Sequence, residues 1–226
     1  VLKAVSDAKA AVRYFRKDFA NNNTYKIDPN TIFVAGYSAG AVIAIHQAYI
    51  DNISDLPSSI IDNDGSAFNV QSIINNIGGI YGLEGDAGNY GYSSDVSGVI
   101  SFAGGINNVY WIDDNDEPLV SIQGTEDPTV SYNCAPALNS SLVLDLCGTG
   151  EMHPQADLVG VINDKLIFNG EGHSWAANGN SNSKFLQAVD FTTSFLFPLL
   201  PCNNISVITE LHVKEKKLVK ILDILG

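Results

Sequence analysis

Basic residues are scarce in this chain. It has 12 Lys and Arg against 25 Asp and Glu, which gives a formal net charge of −13. A surface of this sign repels phosphate backbones and anionic lipid headgroups within a Debye length. The composition therefore argues against a nucleic-acid partner.

The sequence also lacks a long, purely apolar run. Its longest stretch without a formal charge, residues 29–50, is interrupted by Asn30, His46 and Gln47. A membrane-spanning helix needs about 20 predominantly apolar residues, so we interpret this stretch as buried core and expect no stable membrane insertion. The chain starts at Val1 without a basic segment or signal-peptide core, and we expect an upstream sequence to precede it.

Cysteine is limited to Cys134, Cys147 and Cys202. They form no CxxC pair and have no metal-ligand spacing, so we expect no metal site and no redox cofactor. A disulfide between Cys134 and Cys147 would close a loop and stabilise the fold by roughly 3 kcal/mol in an oxidising compartment. Three separate buried thiols are the alternative, and the sequence does not decide between them.

The residues that are present suit a folded domain, since 45% of 226 are hydrophobic. Apolar residues recur every three or four positions over 2–19, which predicts an amphipathic helix. The apolar run 31–35 predicts a strand buried on both faces, and the run 41–50 predicts a buried helix. Helix, strand, glycine turn and helix in this order form a right-handed crossover unit.

The rest of the chain continues the alternation of helices and strands. A helix is predicted around 69–77, within an Asn-, Gly- and Ser-rich excursion over 51–95. Further parallel strands are predicted at 96–103, 119–123 and 165–168, and a closing helix at 184–199. The predicted fold class is therefore α/β, with a mostly parallel sheet flanked by helices. Lysines cluster beyond Cys202, so we place a domain boundary near residue 203, between 1–202 and a tail over 203–226.

A candidate nucleophile lies between the first strand and the second helix, in Gly36-Tyr37-Ser38-Ala39-Gly40. A GxSxG turn presents its serine at a sharp strand-to-helix bend. We expect a bulky residue at either glycine to clash. The backbone N–H of Ala39, at the start of the helix, is a candidate oxyanion donor.

Two later loops supply the other groups that a serine nucleophile requires. Gly124-Thr125-Glu126-Asp127 follows one predicted strand, and Gly170-Glu171-Gly172-His173 follows another. His173 would take the proton from Ser38, while Asp127 would hold the imidazole tautomer. Glu126 competes with Asp127, but Asp127 precedes Pro128 and is better placed to stop the loop and point inward.

Other polar and aromatic residues have simpler interpretations. Tyr37 and Trp175 adjoin Ser38 and His173 and are candidate substrate-binding residues. The remaining histidines are expected to be structural or solvated: His46 in the core, His153 structural or exposed near a helix start, and His212 in the tail. An acidic loop is interpreted as a solvated turn and not a calcium site; it contains Asp113, Asp114 and Asp116.

With Ser38, Asp127 and His173 in this order, residues 1–200 resemble the α/β-hydrolase superfamily, and in particular secreted bacterial carboxylesterases and lipases. The resemblance implies that Asp127 of the GTxD segment and His173 of the GxGH segment complete a catalytic triad. No His-Gly-Gly motif precedes Ser38. The resemblance therefore implies a C-terminal portion of the fold that lacks its first strands, with the second oxyanion donor upstream.

The expected function is a serine hydrolase that cleaves carboxylic esters through an acyl-enzyme, with no cofactor. The expected partner is a small-molecule or lipid ester. Two alternatives stay open: a serine peptidase of the same fold, and a non-catalytic binding protein that retains it. Residues 216–226 resemble the beginning of a type IX secretion sorting domain, which implies contact with the secretion machinery and a secreted or cell-surface bacterial protein.

Overall fold

The computed structural model describes residues 1–61, 67–141 and 143–201. Helices and strands alternate along most of this chain. The helices within these ranges are α1 (Leu2–Asn21), α2 (Ala39–Tyr49), α3 (Val70–Gly78), α4 (Thr149–Val159) and α5 (Ser183–Leu196). The strands are β1 (Val34–Tyr37), β2 (Ser59–Ile61), β3 (Ala67–Asn69), β4 (Val99–Phe102), β5 (Leu119–Gly124), β6 (Cys134–Pro136), β7 (Asp145–Cys147) and β8 (Asn163–Phe168).

A parallel sheet forms the centre of the molecule. Its strand order is β1-β4-β5-β8, and every neighbouring pair is parallel. The predicted fold class is thereby confirmed. Parallel strands end at the same edge of a sheet, so the loops that follow β1, β5 and β8 gather at one edge.

The first strand begins later than its sequence predicts. The apolar run starts at Thr31, yet β1 starts at Val34 and continues through Gly36 to Tyr37. Residue Ile32 is paired outside the ladder, because its N–H bonds to the hydroxyl of Ser97 and its carbonyl accepts from the Ser97 N–H. The prediction that this strand is buried on both faces is also wrong, because none of residues 31–35 is fully buried and Ala35 is exposed. Strand β1 lies at one end of the strand order β1-β4-β5-β8, where it has a single neighbouring strand among the described residues.

Two apolar clusters cover opposite faces of the sheet. Strand β5, buried at every position, contributes Leu119 to one cluster, and Val120 and Ile122 to the other. This split follows from the alternation of side chains along a strand. The first cluster joins α1, α2 and α4 to the sheet, and the second includes Ala188 of α5. Burial of each large aliphatic side chain contributes about 1.5–3 kcal/mol.

The excursion over 51–95 carries the expected helix, now α3, and a short antiparallel pair, β2 and β3. Glu84 ties it to α1, since its carboxylate lies 3.0 Å from Lys9 Nζ and 2.9 Å from an Arg13 guanidinium nitrogen. Burial favours the neutral acid at Glu84. A hydrogen bond from Ser94 and the charges of Lys9 and Arg13 favour the carboxylate more strongly than burial opposes it, so the pKa of Glu84 is lowered.

A second antiparallel pair, β6 and β7, carries a disulfide between Cys134 and Cys147. Of the two alternatives for these cysteines, the structure therefore has the disulfide. Cys202 and the tail 203–226 lie outside the described residues, so the domain boundary stays a prediction. In the described part of the chain, no helix is both long and apolar enough to cross a bilayer.

Candidate active site

The turn between β1 and α2 holds Ser38 in an unusual conformation. Its φ is 55° and its ψ is −121°, outside the regions that non-glycine residues favour. The Ser38 N–H is nevertheless satisfied, since it donates to the carbonyl of Phe102 at 2.8 Å. Such strain marks functional sites when the surroundings fix the backbone. Here it places the serine hydroxyl at the apex of the bend.

The two glycines of this turn are not equivalent, which corrects the sequence-based expectation. A Cβ at Gly36 would overlap the carbonyl group of Gly40, so only glycine allows α2 to start this close to β1. A Cβ at Gly40 would meet nothing within 4 Å. The expectation that a larger residue would clash at either position is therefore wrong for Gly40.

The loop after β5 presents Asp127 to the interior and Glu126 to solvent. The Asp127 residue is 6% exposed, whereas Glu126 is an exposed residue. One carboxylate oxygen of Asp127 accepts from the N–H groups of Thr129 at 2.8 Å and Val130 at 3.0 Å. These bonds fold the loop around the carboxylate and aim its other oxygen away from them.

The loops after β5 and β8 are joined to each other by two hydrogen bonds. The N–H of Glu126 donates to the Glu171 carbonyl at 3.0 Å, and the N–H of Gly170 donates to the Thr125 hydroxyl at 2.9 Å. A Cβ at Gly124 would overlap the Glu171 carbonyl, so glycine permits this close crossing. The junction brings the segments that carry Asp127 and His173 side by side.

His173 lies between Asp127 and Ser38. Its Nδ1 is 2.7 Å from the second carboxylate oxygen of Asp127, and its Nε2 is 2.8 Å from the hydroxyl oxygen of Ser38. A carboxylate only accepts, so the neutral imidazole carries its proton on Nδ1 and Nε2 accepts from the Ser38 hydroxyl. The structure thus brings all three predicted side chains into one hydrogen-bonded line.

The two aromatic candidates occupy different environments. Tyr37 is 40% exposed, and its hydroxyl donates to the main-chain carbonyl of His173 at 2.6 Å. Burial and the charge of Asp127 raise the pKa of Tyr37. Trp175 is 3% exposed and packs against Phe102 and Phe168, with ring centroids 5.6 and 5.2 Å away. The indole is part of the apolar cluster that includes Phe168 and Ala188, so little of its surface is open to solvent. A contact between Trp175 and substrate stays a prediction.

Ala39, the candidate oxyanion donor, is the first residue of α2 and is exposed. The first N–H groups of a helix have no partner within the helix, and its dipole is positive at this end. The Ala39 N–H is therefore a donor of the kind that needs no partner within the helix, and the helix dipole at this end favours a negative charge next to Ser38.

The other histidines lie away from this line. His46 is fully buried, with its ring nitrogens 2.7 Å from the Val42 carbonyl and 2.8 Å from the Asn107 side-chain oxygen. Burial lowers the pKa of His46. His153 is also fully buried, inside α4, and burial lowers its pKa to about 4. His212 falls outside the described residues.

The acidic loop is less solvated than its sequence predicts. Asp114 is exposed, but Asp116 is half-buried and its carboxylate accepts from the Asp113 N–H at 2.7 Å. Burial, with the negative charges of Asp113 and Glu117, raises the pKa of Asp116 to about 7. Across residues 1–61, 67–141 and 143–201, no group of three or more His, Cys, Asp or Glu side chains could hold a metal ion.

Comparison with known proteins gives one family and several solved structures. A family described as BD-FAE matches residues 2–142. Curated proteins yield no match. A truncated carbohydrate esterase from gut microbiota is 18% identical, with a TM-score of 0.57 over 86% of this chain and 68% of that one. Esterase 2 of Thermogutta terrifontis is 16% identical, with a TM-score of 0.54 over 86% of this chain and 64% of that one.

These similarities show an α/β-hydrolase fold, as the sequence predicts. The same Thermogutta terrifontis esterase with propionate bound gives a TM-score of 0.55 at 16% identity, over 86% of this chain. This chain spans 64% to 68% of the length of these neighbours.

Proposed function

The chain belongs to the BD-FAE family, and from this premise we propose that it is a serine hydrolase that cleaves carboxylic esters. The observation that carries the proposal is the line from Ser38 through His173 to Asp127, with contacts of 2.8 and 2.7 Å. A serine hydroxyl becomes a nucleophile when an oriented base accepts its proton. The esterases among its structural neighbours support ester bonds as the substrate class.

In this mechanism His173 moves one proton in each half of the reaction. Ser38 Oγ attacks the ester carbonyl while Nε2 of His173 takes the hydroxyl proton, and the alcohol leaves with that proton as the acyl-enzyme forms. Water then attacks the acyl group, again with His173 as base, and releases the acid and Ser38. Asp127 keeps the imidazole oriented and stabilises the imidazolium in both halves.

The charge that develops on the carbonyl oxygen requires hydrogen-bond donors. We assign one of them to the backbone N–H of Ala39, because it follows Ser38 at the N-terminus of α2. The net charge of −13 opposes the approach of anionic substrates, so neutral esters are the proposed class.

A fluorophosphonate probe tests the nucleophile directly, because it phosphonylates a serine that has an oriented base. We expect labelling of the full chain at Ser38 and no labelling of Ser38→Ala. Ser54→Ala, which removes an exposed hydroxyl, is the matched control and should label like the wild type. Absence of labelling in the folded protein would favour the non-catalytic binding protein.

A comparison of two substrate classes then distinguishes an esterase from a peptidase. We expect turnover of p-nitrophenyl acetate that is lost in Ser38→Ala, and no comparable turnover of aminoacyl p-nitroanilides. Faster cleavage of the anilides than of the ester would contradict the proposal and favour the serine peptidase.

We also propose that the protein acts outside the cytoplasm, with residues 1–202 as the catalytic domain and 203–226 as the beginning of a sorting segment. The Cys134–Cys147 disulfide supports this location, because disulfides persist mainly in oxidising compartments. Secretion of the intact protein by its native cell, and its retention after deletion of 203–226, would test both parts. Secretion without this segment would contradict its sorting role.

A further inference from the structure

Gln123 is a buried amide in a strand that is otherwise apolar or small. It is the penultimate residue of β5 and has no exposed surface. A side-chain amide has two N–H donors and an oxygen acceptor, and burial without partners costs free energy. Its contacts therefore indicate what the residue does.

The amide joins two segments that are distant in sequence. Its oxygen accepts from the Thr149 N–H at 2.8 Å, at the start of α4. Its nitrogen donates to the carbonyls of Val130 at 2.8 Å and Ser131 at 3.3 Å, in the loop after β5. Only this orientation of the amide satisfies all three partners. The fit is close, because a Cβ at Gly148 would overlap the Ser131 carbonyl and crowd the Gln123 amide.

Val130 connects this amide to the candidate active site. Its carbonyl accepts from Gln123, and its N–H donates to Asp127 Oδ1 at 3.0 Å. The other oxygen of Asp127 lies 2.7 Å from Nδ1 of His173. A continuous path of hydrogen bonds thus runs from Gln123 through Val130 to the Asp127 carboxylate and the imidazole.

We propose that Gln123 is a positioning residue for the reaction: it fixes the loop over residues 127–131 so that the Asp127 carboxylate meets His173. The proposal rests on the proposed function, since it concerns the same three side chains. A residue of this kind changes the rate of the chemical step more than substrate binding, because small displacements of catalytic groups are costly.

The first test is Gln123→Glu, which keeps the shape and the acceptor for Thr149 but loses the N–H donors. We expect kcat for p-nitrophenyl acetate to fall about ten- to a hundredfold with KM nearly unchanged. Gln155→Glu is the matched control, because the Gln155 amide also donates to a backbone carbonyl, that of Ile112 at 3.0 Å. This control should keep wild-type kcat.

The second test asks whether the effect passes through Asp127. In an Asp127→Asn background, Gln123→Glu should cause little further loss, because the interaction that it supports is already gone. Losses that multiply in the double variant would show a role independent of Asp127 and overturn the proposal. Wild-type kcat in Gln123→Glu would also overturn it.

A variant of Thr149, which donates to Gln123, provides a second test in case Gln123→Glu does not fold. Thr149→Pro removes the N–H from which Gln123 accepts, together with the buried Thr149 hydroxyl, at the first position of α4, where proline is tolerated. The same kcat loss and the same dependence on Asp127 are expected. If neither variant folded, Gln123 would be a requirement of the fold and the proposal would be wrong. An inactive, unlabelled wild type would instead contradict the proposed function itself.

Discussion

The hydroxyl of Tyr37 donates a hydrogen bond of 2.6 Å to the main-chain carbonyl of His173. Their rings are also neighbours, with centroids 5.4 Å apart. Tyr37 directly precedes Ser38, so the end of β1 presents the proposed nucleophile and also contacts the loop that carries His173. Tyr37, which the sequence predicts to contact substrate, thus also forms a hydrogen bond that holds the His173 backbone.

Tyr37→Phe tests this bond, because it keeps the ring and removes only the hydroxyl. One hydrogen bond contributes about 1 kcal/mol net, so we expect kcat to fall about three- to tenfold, with KM little changed. Steady-state hydrolysis of p-nitrophenyl acetate measures both. Tyr90→Phe is the matched control, since the Tyr90 hydroxyl also donates to a backbone carbonyl, that of Asp86, and Tyr90 is 43% exposed. Equal losses in both variants would contradict the prediction.

The glycines of the Ser38 turn give a second, paired prediction. Gly36→Ala should destabilise the protein by about 3 kcal/mol, because its Cβ would overlap Gly40 and force α2 away from β1. Gly40→Ala should be neutral or stabilising by up to about 1 kcal/mol, because the site is open and alanine favours a helix. Urea unfolding of both variants measures the difference. Equal destabilisation would show that the turn needs both glycines.

Much of the fold was predictable because the hydrophobic pattern of each segment matches its place against or within the sheet. The amphipathic pattern of α1 and the apolar runs of β4, β5 and β8 appear in the sequence, since burial sets their composition. The bounds were less predictable. The partners of the backbone groups decide that β1 begins at Val34, because the N–H and carbonyl of Ile32 bond to the hydroxyl and the N–H of Ser97. The short strand β7 pairs with β6 and carries one cysteine of the disulfide, whose pairing the sequence did not decide.

For the candidate site, the sequence indicates which residue types meet but not what holds them. The motifs around Ser38, Asp127 and His173 indicate the proposed chemistry. The difference in exposure between Asp127 and Glu126 is visible only in the structure. Gln123 was not found from the sequence. The sequence offered one signal, a polar amide inside an otherwise apolar or small run. The structure shows that this run is buried at every position.

A third prediction concerns the disulfide. Cys134 and Cys147 are 13 residues apart in sequence, and replacing both by alanine should lower the free energy of unfolding by about 3 kcal/mol in the chain-entropy model. Urea unfolding measures the loss. Dithiothreitol should destabilise the wild type by a similar amount and leave the double variant unchanged. A wild type that is insensitive to reduction would contradict the prediction, provided that thiol titration shows the bond to be broken.

The half-buried carboxyl of Asp116 gives a pH-dependent prediction. Its pKa of about 7 in the folded state lies above its ordinary value of 3.8. The folded chain therefore binds more protons than the unfolded chain between these values, and stability falls as pH rises through this range. Asp116→Asn removes the titration.

The free energy of unfolding of Asp116→Asn should match that of the wild type near pH 4. Between pH 4 and 7 the wild type loses stability and the variant does not, so the variant should become the more stable protein by about 1 kcal/mol, after solvent screening of this partly exposed group. Its advantage should stay constant above pH 7. Thermal unfolding of both proteins at a series of pH values measures it. Asp114→Asn, at an exposed position of the same loop, removes the same formal charge and should give a much smaller, flatter difference. An equal gain from the two variants would assign the effect to net charge and not to the buried position of Asp116.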